Sequence, residues 1–196
     1  MYNRERLLIV FLFAISLLFL SCDVTAPKNS LVINKINKGD ALEADILDYW
    51  TVGSGEEMEE FDETPSYSVL VEASYIHNYG GLPRVTSYAM VDEYTVDFKD
   101  ITPGESPVTL TQKVQGACTF FIEADPEGKE KEEAEITILP REWILLYYDE
   151  LEDGKVLKAT ITLKGEDSKT GDDIEAKGYL TIDIGDLEDD INVKGE

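Results

Sequence analysis

Three aspartates near the C-terminus are of the residue type that binds calcium, although the spacing of the acidic residues does not match the EF-hand loop. Asp167, Asp172 and Asp173 lie in the stretch GEDSKTGDD, between two segments that alternate apolar and polar residues. Calcium takes about six to eight oxygen ligands from carboxylates and carbonyls, and a loop rich in Gly and Asp can bend its carboxylates toward one point. These three residues are therefore candidate Ca²⁺ ligands, and an ordinary solvated acidic loop is the alternative.

The remaining residues offer little for catalysis. His77 is the only histidine, and the sequence contains no nucleophile elbow, zinc-protease, phosphate-loop or CxxC pattern. Paired carboxylates hydrolyse glycosides, but among 41 acidic residues such pairs arise by chance. Cys118 alternates in phase with Phe120 and Ile122, which predicts a buried core thiol and not a nucleophile. We expect no catalytic residues in this chain.

Cys22 is the other residue whose position indicates a chemical role, because it lies just after an apolar run that resembles the core of a signal peptide. The run Leu7–Leu20 has 14 residues, whereas a membrane-spanning helix needs roughly 20. A signal-peptide core is typically about 7–15 residues long, follows a positive start and ends at small residues. Arg4 and Arg6 supply the positive start, and Ser21 is the small residue before Cys22.

The segment Phe19-Leu20-Ser21-Cys22 resembles the lipobox of bacterial lipoproteins, with Phe where Leu is usual. The resemblance implies cleavage before Cys22 and a thioether-linked diacylglycerol on its sulfur. Each buried methylene contributes about 0.8 kcal/mol, so two acyl chains hold a protein stably on a bilayer. The chain would then lie on the extracytoplasmic face of the cell membrane or the outer membrane. A plain secretory signal, or a short anchor with a chance cysteine, is the alternative.

The length of the chain limits the number of domains, and its charge limits the kinds of partner. We expect a signal peptide over residues 1–21, a short tether over 22–30 with a lipidated Cys22, and one domain over 31–196. The formal net charge is −24. Such a surface repels nucleic acids and anionic lipid headgroups, so we expect no nucleic-acid partner. The acidic surface attracts cations or basic proteins, and the alternative is that it serves solubility alone.

Period-two alternation dominates the predicted domain. In LKATITLKG and IEAKGYLTIDIG the apolar residues fall on one face and the polar residues on the other, which predicts a hairpin of two half-buried strands. Only REWILLYYDEL, residues 141–151, has helical spacing, with Trp143, Leu146, Tyr147 and Leu151 on one face. The same alternation recurs at Tyr67–Tyr75, Tyr94–Phe98, Val108–Val114, Cys118–Ile122 and Ala134–Ile138. We expect an all-β fold, an Ig-like antiparallel β-sandwich of about seven to nine strands.

The C-terminal stretch LKATITLKGEDSKTGDDIEAKGYLTIDIGD resembles a loosely defined group of uncharacterised bacterial lipoproteins with Ig-like domains. In that group a long hairpin of this kind closes the sandwich. The resemblance covers about a sixth of the chain, and it implies a fold and a location but no activity.

Together these features predict a membrane-tethered, non-catalytic binding or structural module of the cell envelope. Its partners would be the lipid bilayer, through the diacylglycerol on Cys22, and an unknown envelope protein or ligand. We expect no cofactor other than Ca²⁺ at Asp167, Asp172 and Asp173. A Ca²⁺-dependent adhesin or accessory subunit is one alternative, and a carboxylate-based hydrolase is another. A groove holding two carboxylates of raised pKa would favour the hydrolase.

Overall fold

The structure is a computed structural model that describes residues 29–52, 59–76, 87–151 and 154–185; Cys22 and His77 lie outside these ranges, as do the predicted signal peptide and nearly all of the predicted tether. Most of the described residues lie in strands, which confirms the all-β prediction. Two short helices, α1 Arg141–Leu146 and α2 Tyr148–Leu151, connect the eighth strand to the ninth. The strands are β1 Ser30–Ile36, β2 Leu42–Asp45, β3 Asp48–Val52, β4 Glu59–Glu63, β5 Tyr67–Ile76, β6 Tyr88–Asp100, β7 Val114–Asp125, β8 Lys131–Leu139, β9 Lys155–Asp167 and β10 Asp173–Gly185.

Eight of these strands form one curled sheet. Its order is β1-β5-β7-β6-β9-β10-β2, and β8 also pairs with β5, while β3 and β4 form a separate two-stranded sheet. Strands β5 and β7 are joined by a short parallel contact, in which Tyr75–Ile76 pair with Ala124–Asp125 over two residues only. Strand β2 also runs parallel to β10. These two pairs depart from the purely antiparallel prediction, because alternation reveals the buried face of a strand and not the direction of its neighbour.

The predicted C-terminal hairpin is confirmed. Strands β9 and β10 pair antiparallel over their whole length, from Asp173 opposite Glu166 to Ile184 opposite Lys155. Every apolar residue that the alternation assigned to the inner face is buried, and Ile161 and Ile182 are both fully inaccessible to solvent. The two strands thus contribute a continuous row of aliphatic side chains to the single hydrophobic core.

The curl also brings the first strand against the last. Strand β1 pairs through its backbone with β5 on one side and packs beside β10 on the other. Gly178 of β10 makes this approach close, because a Cβ atom added there would lie 2.6 Å from Cδ1 of Ile36 and 3.0 Å from Cγ2 of Ile33. A glycine within a strand often marks such a close approach of another segment.

The strand predicted at Val108–Val114 is wrong, because the structure has a loop over residues 101–113 and β7 begins only at Val114. Buried Asp100 organises this loop: its carboxylate accepts hydrogen bonds from the Thr102 amide at 2.8 Å and the Val108 amide at 2.9 Å. The Thr102 hydroxyl donates a third, at 2.6 Å. The amides of Thr102 and Val108 therefore bind a side chain instead of a neighbouring strand, whereas the Ile101 amide still donates to the Val156 carbonyl of β9 at 2.8 Å.

Helix α1 is held against the same loop by two aromatic side chains. Trp143 donates a hydrogen bond from Nε1 to the Gln112 carbonyl at 2.8 Å, and its ring centroid lies 4.3 Å from that of Phe98. The hydroxyl oxygen of Tyr147 accepts hydrogen bonds from the amides of Thr111 and Gln112. Leu146 was predicted on the buried helical face, but it is exposed because α1 ends there and Tyr147 has non-helical backbone angles.

Strand β6 carries an irregularity at Asp92, where its register with β9 shifts between Val91 and Glu93. The two backbones come unusually close at this point. A Cβ atom added to Gly165 would lie 2.0 Å from the carbonyl oxygen of Met90 and 2.8 Å from Cα of Val91. Both of these atoms belong to the backbone, so the obstacle cannot rotate away.

Replacing Gly165 by Ala should lower the free energy of unfolding by about 2–3 kcal/mol, because the added methyl group forces β6 and β9 apart. Urea denaturation of the purified protein measures the change. Lys164→Ala is the matched control. This neighbouring side chain is partly exposed and pairs with exposed carboxylates, Glu93 at 3.4 Å and the cross-strand partner Glu175, so its loss should cost under about 0.5 kcal/mol. Equal stability of the Gly165→Ala variant and the native chain would contradict the close approach.

Candidate functional site

Asp167, one of the predicted calcium ligands, is buried at the end of β9, with 3% of its surface exposed. Its side chain lies on the inward face of that strand, the same face that carries the buried residues Leu157, Ile161 and Leu163. The strand therefore carries a carboxylate into the rim of the hydrophobic core. A buried charge is costly unless polar groups surround it.

Five donors surround the Asp167 carboxylate. Oδ1 accepts hydrogen bonds from the Ser87 hydroxyl at 2.7 Å and from the amides of Lys169 at 2.8 Å and Thr170 at 3.0 Å. Oδ2 accepts hydrogen bonds from the Asn29 side-chain amide at 3.0 Å and the Tyr75 hydroxyl at 2.5 Å. These donors come from the start of β1, the end of β5, the start of β6 and the turn after β9. One carboxylate thus joins four separate parts of the chain.

Hydrogen bonding decides the charge state of Asp167. Burial alone would raise the pKa of its carboxyl, but the bonds from Tyr75, Ser87 and the turn amides outweigh burial and hold the pKa well below its ordinary range. The group therefore stays ionised at neutral pH. Because its oxygens already accept five hydrogen bonds, a metal ion could bind them only by displacing these donors. Asp167 therefore has a structural role, holding separate parts of the chain together, which was not predicted from the sequence.

The other two calcium candidates lie differently. Asp172 and Asp173 are exposed, and the carbonyl oxygen of Asp172 accepts a hydrogen bond from the Asp167 amide at 2.9 Å. Within the described ranges, no three His, Cys, Asp or Glu side chains gather so as to hold a metal ion. The three aspartates are therefore not brought together, and the calcium hypothesis gains no geometric support in this part of the chain.

An acidic groove lies on the outer face beside this turn. Its volume is about 390 Å³, and Asp92, Glu93, Lys164, Gly165, Glu166, Asp173, Ile174 and Glu175 line it. At its rim, the pKa of Glu175 lies below its ordinary value, because Lys177 donates a hydrogen bond to it and places a positive charge beside it. This direction is opposite to the raised pKa that a general acid of a hydrolase requires.

Cys118 lies inside the core, as predicted from its phase with Phe120. Burial raises the pKa of its thiol to about 11, and the negative charge of Asp92 adds to the shift. Because the thiolate is the reactive form of cysteine, a raised pKa suppresses reactivity at neutral pH. The side chain is therefore suited to packing and poorly suited to nucleophilic attack.

Replacing Asp167 by Asn should destabilise the domain by about 3 kcal/mol at pH 7. The new amide can accept on one side, but its NH2 group would face the Asn29 donor. In the native chain the folded pKa of Asp167 is depressed, so its stabilisation is complete above the ordinary pKa of Asp, about 4, and is lost as the pH falls below it. The variant should lack this acid-side loss, which denaturation at a series of pH values measures.

The matched control for this substitution is Asp172→Asn, which removes a carboxylate from an exposed side chain of the same turn. We expect it to change stability by less than about 1 kcal/mol and to leave the acid-side pH dependence intact. An equal effect of the two substitutions would contradict the role of Asp167.

Calcium and magnesium should stabilise the domain equally at matched ionic strength, because both screen the self-repulsion of a chain with a net charge of −24. A dedicated Ca²⁺ site behaves differently, since ligand at 100 times its dissociation constant contributes about 2.7 kcal/mol. Thermal unfolding in each salt distinguishes the two cases. A Ca²⁺-specific shift that Asp172→Asn abolishes would establish the calcium site.

The described residues include no helix that is both long enough and apolar enough to span a membrane. Comparison with known proteins adds no relative to this geometry. No protein-family model, no curated protein and no solved structure matches the chain.

Proposed function

We propose that this chain is a lipid-anchored extracytoplasmic protein whose domain serves as a non-catalytic binding or structural module of the cell envelope. In this proposal a diacylglycerol on Cys22 holds the chain on the cell membrane or the outer membrane. The apolar run Leu7–Leu20, its arginine-bearing start and the small residue before Cys22 support the anchor.

We further propose that the curled sheet is an Ig-like β-sandwich. Hydrogen bonds between side chains of one layer and groups of the other support this finer description. The hydroxyl of Tyr94 in β6 donates a hydrogen bond to the Thr137 carbonyl of β8 at 2.9 Å. Strand β8 is not a neighbour of β6, which lies between β7 and β9. Tyr75 of β5 reaches Asp167 of β9 in the same way. The buried apolar residues of both layers form one cluster, as the facing sheets of a sandwich do.

The observation that carries the proposal is the bond between Asn29 and Asp167. It attaches the first described residue of the chain to the end of the domain that holds the β9–β10 turn. Asn29 is seven steps along the chain from Cys22, and fully extended chain spans at most about 3.6 Å per step, or roughly 25 Å in all. An acylated Cys22 would therefore keep the Asp167 end close to the bilayer and point the 101–113 loop and helix α1 outward.

The non-catalytic part of the proposal rests on how the buried reactive groups are used. Asp167 and Asp100 each accept several hydrogen bonds that shape turns, and these bonds lower the pKa of both carboxyls despite burial. The Cys118 thiol has a raised pKa within the core. Each group has a structural use that accounts for its environment, and each is poorly tuned for proton transfer or nucleophilic attack.

Expression in a bacterial host tests the anchor. Metabolic labelling with a fatty-acid analogue, followed by mass spectrometry of the mature N-terminus, should find an acylated Cys22 in the membrane fraction. Cys22→Ser should give an unprocessed precursor without label, because serine lacks the sulfur that carries the diacylglycerol.

The second cysteine supplies the matched control. Cys118→Ser removes the other thiol of the chain and should leave acylation and membrane attachment unchanged. A mature chain that begins at any residue other than an acylated Cys22 would overturn the proposal.

A further inference from the structure

Two lysines face each other on the outer surface of the sheet. Lys99 of β6 and Lys158 of β9 are direct cross-strand partners, and both side chains are exposed. Like charges directly opposite each other in an antiparallel pair destabilise the sheet. The described part of the chain offers neither lysine an ion pair. Such an unneutralised pair is notable in a chain whose net charge is −24.

An aromatic ring and a hydroxyl complete the surface around these lysines. Tyr179 of β10 is 60% exposed, and the ammonium of Lys158 lies 4.1 Å from the centre of its ring. Thr181, also exposed, is the β10 partner of Lys158. Two ammonium groups beside a tyrosine and a threonine form a surface that donates hydrogen bonds and carries positive charge.

The acidic residues at the margins confine the positive charge to the lysine pair itself. Asp97, two residues before Lys99, forms a salt bridge with Lys113 at 2.6 Å. Asp183 lies two residues beyond Thr181 on β10 and is exposed, as is its β2 partner Glu43. The positive charge therefore belongs to Lys99 and Lys158, and an acidic segment fits over this pair.

We propose that Lys99, Lys158 and Tyr179 form a docking site for an acidic, extended segment, and that its occupant is this chain's own C-terminal tail, residues 186–196. The tail reads DLEDDINVKGE, so Asp186, Glu188, Asp189 and Asp190 concentrate negative charge in its first half. This charge is complementary to the two lysines.

The position at which the tail leaves the domain supports this occupant. Strand β10 ends at Gly185, four residues beyond Thr181, which corresponds to about 13 Å along the strand. Extended chain spans up to about 3.6 Å per residue, so a tail that reverses over about two residues and then folds back is level with Thr181 at about Ile191. The long lysine side chains can then meet Asp189 and Asp190. A short link of this kind also raises the effective concentration of the tail to about the millimolar range. The site does not depend on Cys22, so it stands or falls independently of the membrane anchor.

Zero-length cross-linking of the full chain with a carbodiimide tests the contact, because this reagent joins only ammonium and carboxylate groups that touch. At high dilution, peptide mass spectrometry should find Lys99 or Lys158 coupled to the Asp186–Asp190 segment. The yield should exceed that for Lys129 at least fivefold. Lys129 is the control, since it is exposed and lies in the β7–β8 turn, away from the end of β10. Equal coupling to Lys129, or no coupling to the tail, would overturn the proposal.

A neutral tail gives an independent measurement. The variant combines Asp186→Asn, Glu188→Gln, Asp189→Asn and Asp190→Asn, and the fold is checked by circular dichroism. A carboxylate within about 4 Å favours the charged ammonium, so removing it should speed acetylation of Lys99 and Lys158 about threefold. Acetylation of Lys113 should not change, because Asp97 remains its partner. Unchanged rates at Lys99 and Lys158 would overturn the proposal.

Discussion

The carboxylate of Asp167 is the point at which distant parts of this chain are fixed relative to one another. A charge with 3% of its residue surface exposed is tolerable only when each of its oxygens is satisfied, and here five donors do so. Three of these donors are side chains, from Asn29, Tyr75 and Ser87, and two are amides of the following turn. The Asp167 charge is consequently satisfied only when three strand ends, the start of β1, the end of β5 and the start of β6, lie together around it. Because hydrogen bonds are directional, satisfying the Asp167 carboxylate fixes the relative positions of these strand ends. Apolar contacts are not directional and cannot fix them in this way.

The opposite end of the domain uses the same device on a smaller scale. Asp100 ends β6 and accepts hydrogen bonds from Thr102 and Val108, and the Thr102 hydroxyl in turn accepts one from the Val156 amide at 3.0 Å. The 13-residue loop over residues 101–113 is not itself a strand, and it gains order from this aspartate, from Trp143 of α1 and from Tyr147. An ionised, inward-facing aspartate thus lies at each end of the sheet, Asp167 at one end and Asp100 at the other. Aliphatic residues fill the core between them.

Much of the fold could be predicted from the sequence, because period-two alternation directly reports a half-buried strand. It identified β5, β9 and β10 and the burial of Cys118. It failed at Val108–Val114, where a similar pattern occurs but side chains take the backbone hydrogen bonds. The role of Asp167 had one local signal, its inward phase in β9, but its donors lie up to 138 residues away. Their convergence depends on the curl of the sheet, which alternation does not encode. The opposed lysines were missed for the same reason, since cross-strand register is not visible in one strand.

The pairing of β2 with β10 determines the order in which this domain can be completed. Leu42–Asp45 find their backbone partners only in Ile182–Gly185, near the far end of the chain, and Asn29 finds Asp167 only slightly earlier. A chain emerging from the ribosome therefore carries β2 without its backbone partner until β10 has been made, whereas β1 can already pair with β5. Contacts of such long sequence separation are entropically costly to form and slow folding. Synthesis therefore leaves β2 without its backbone partner for most of its duration, and the described sheet is complete only after β10 has been made.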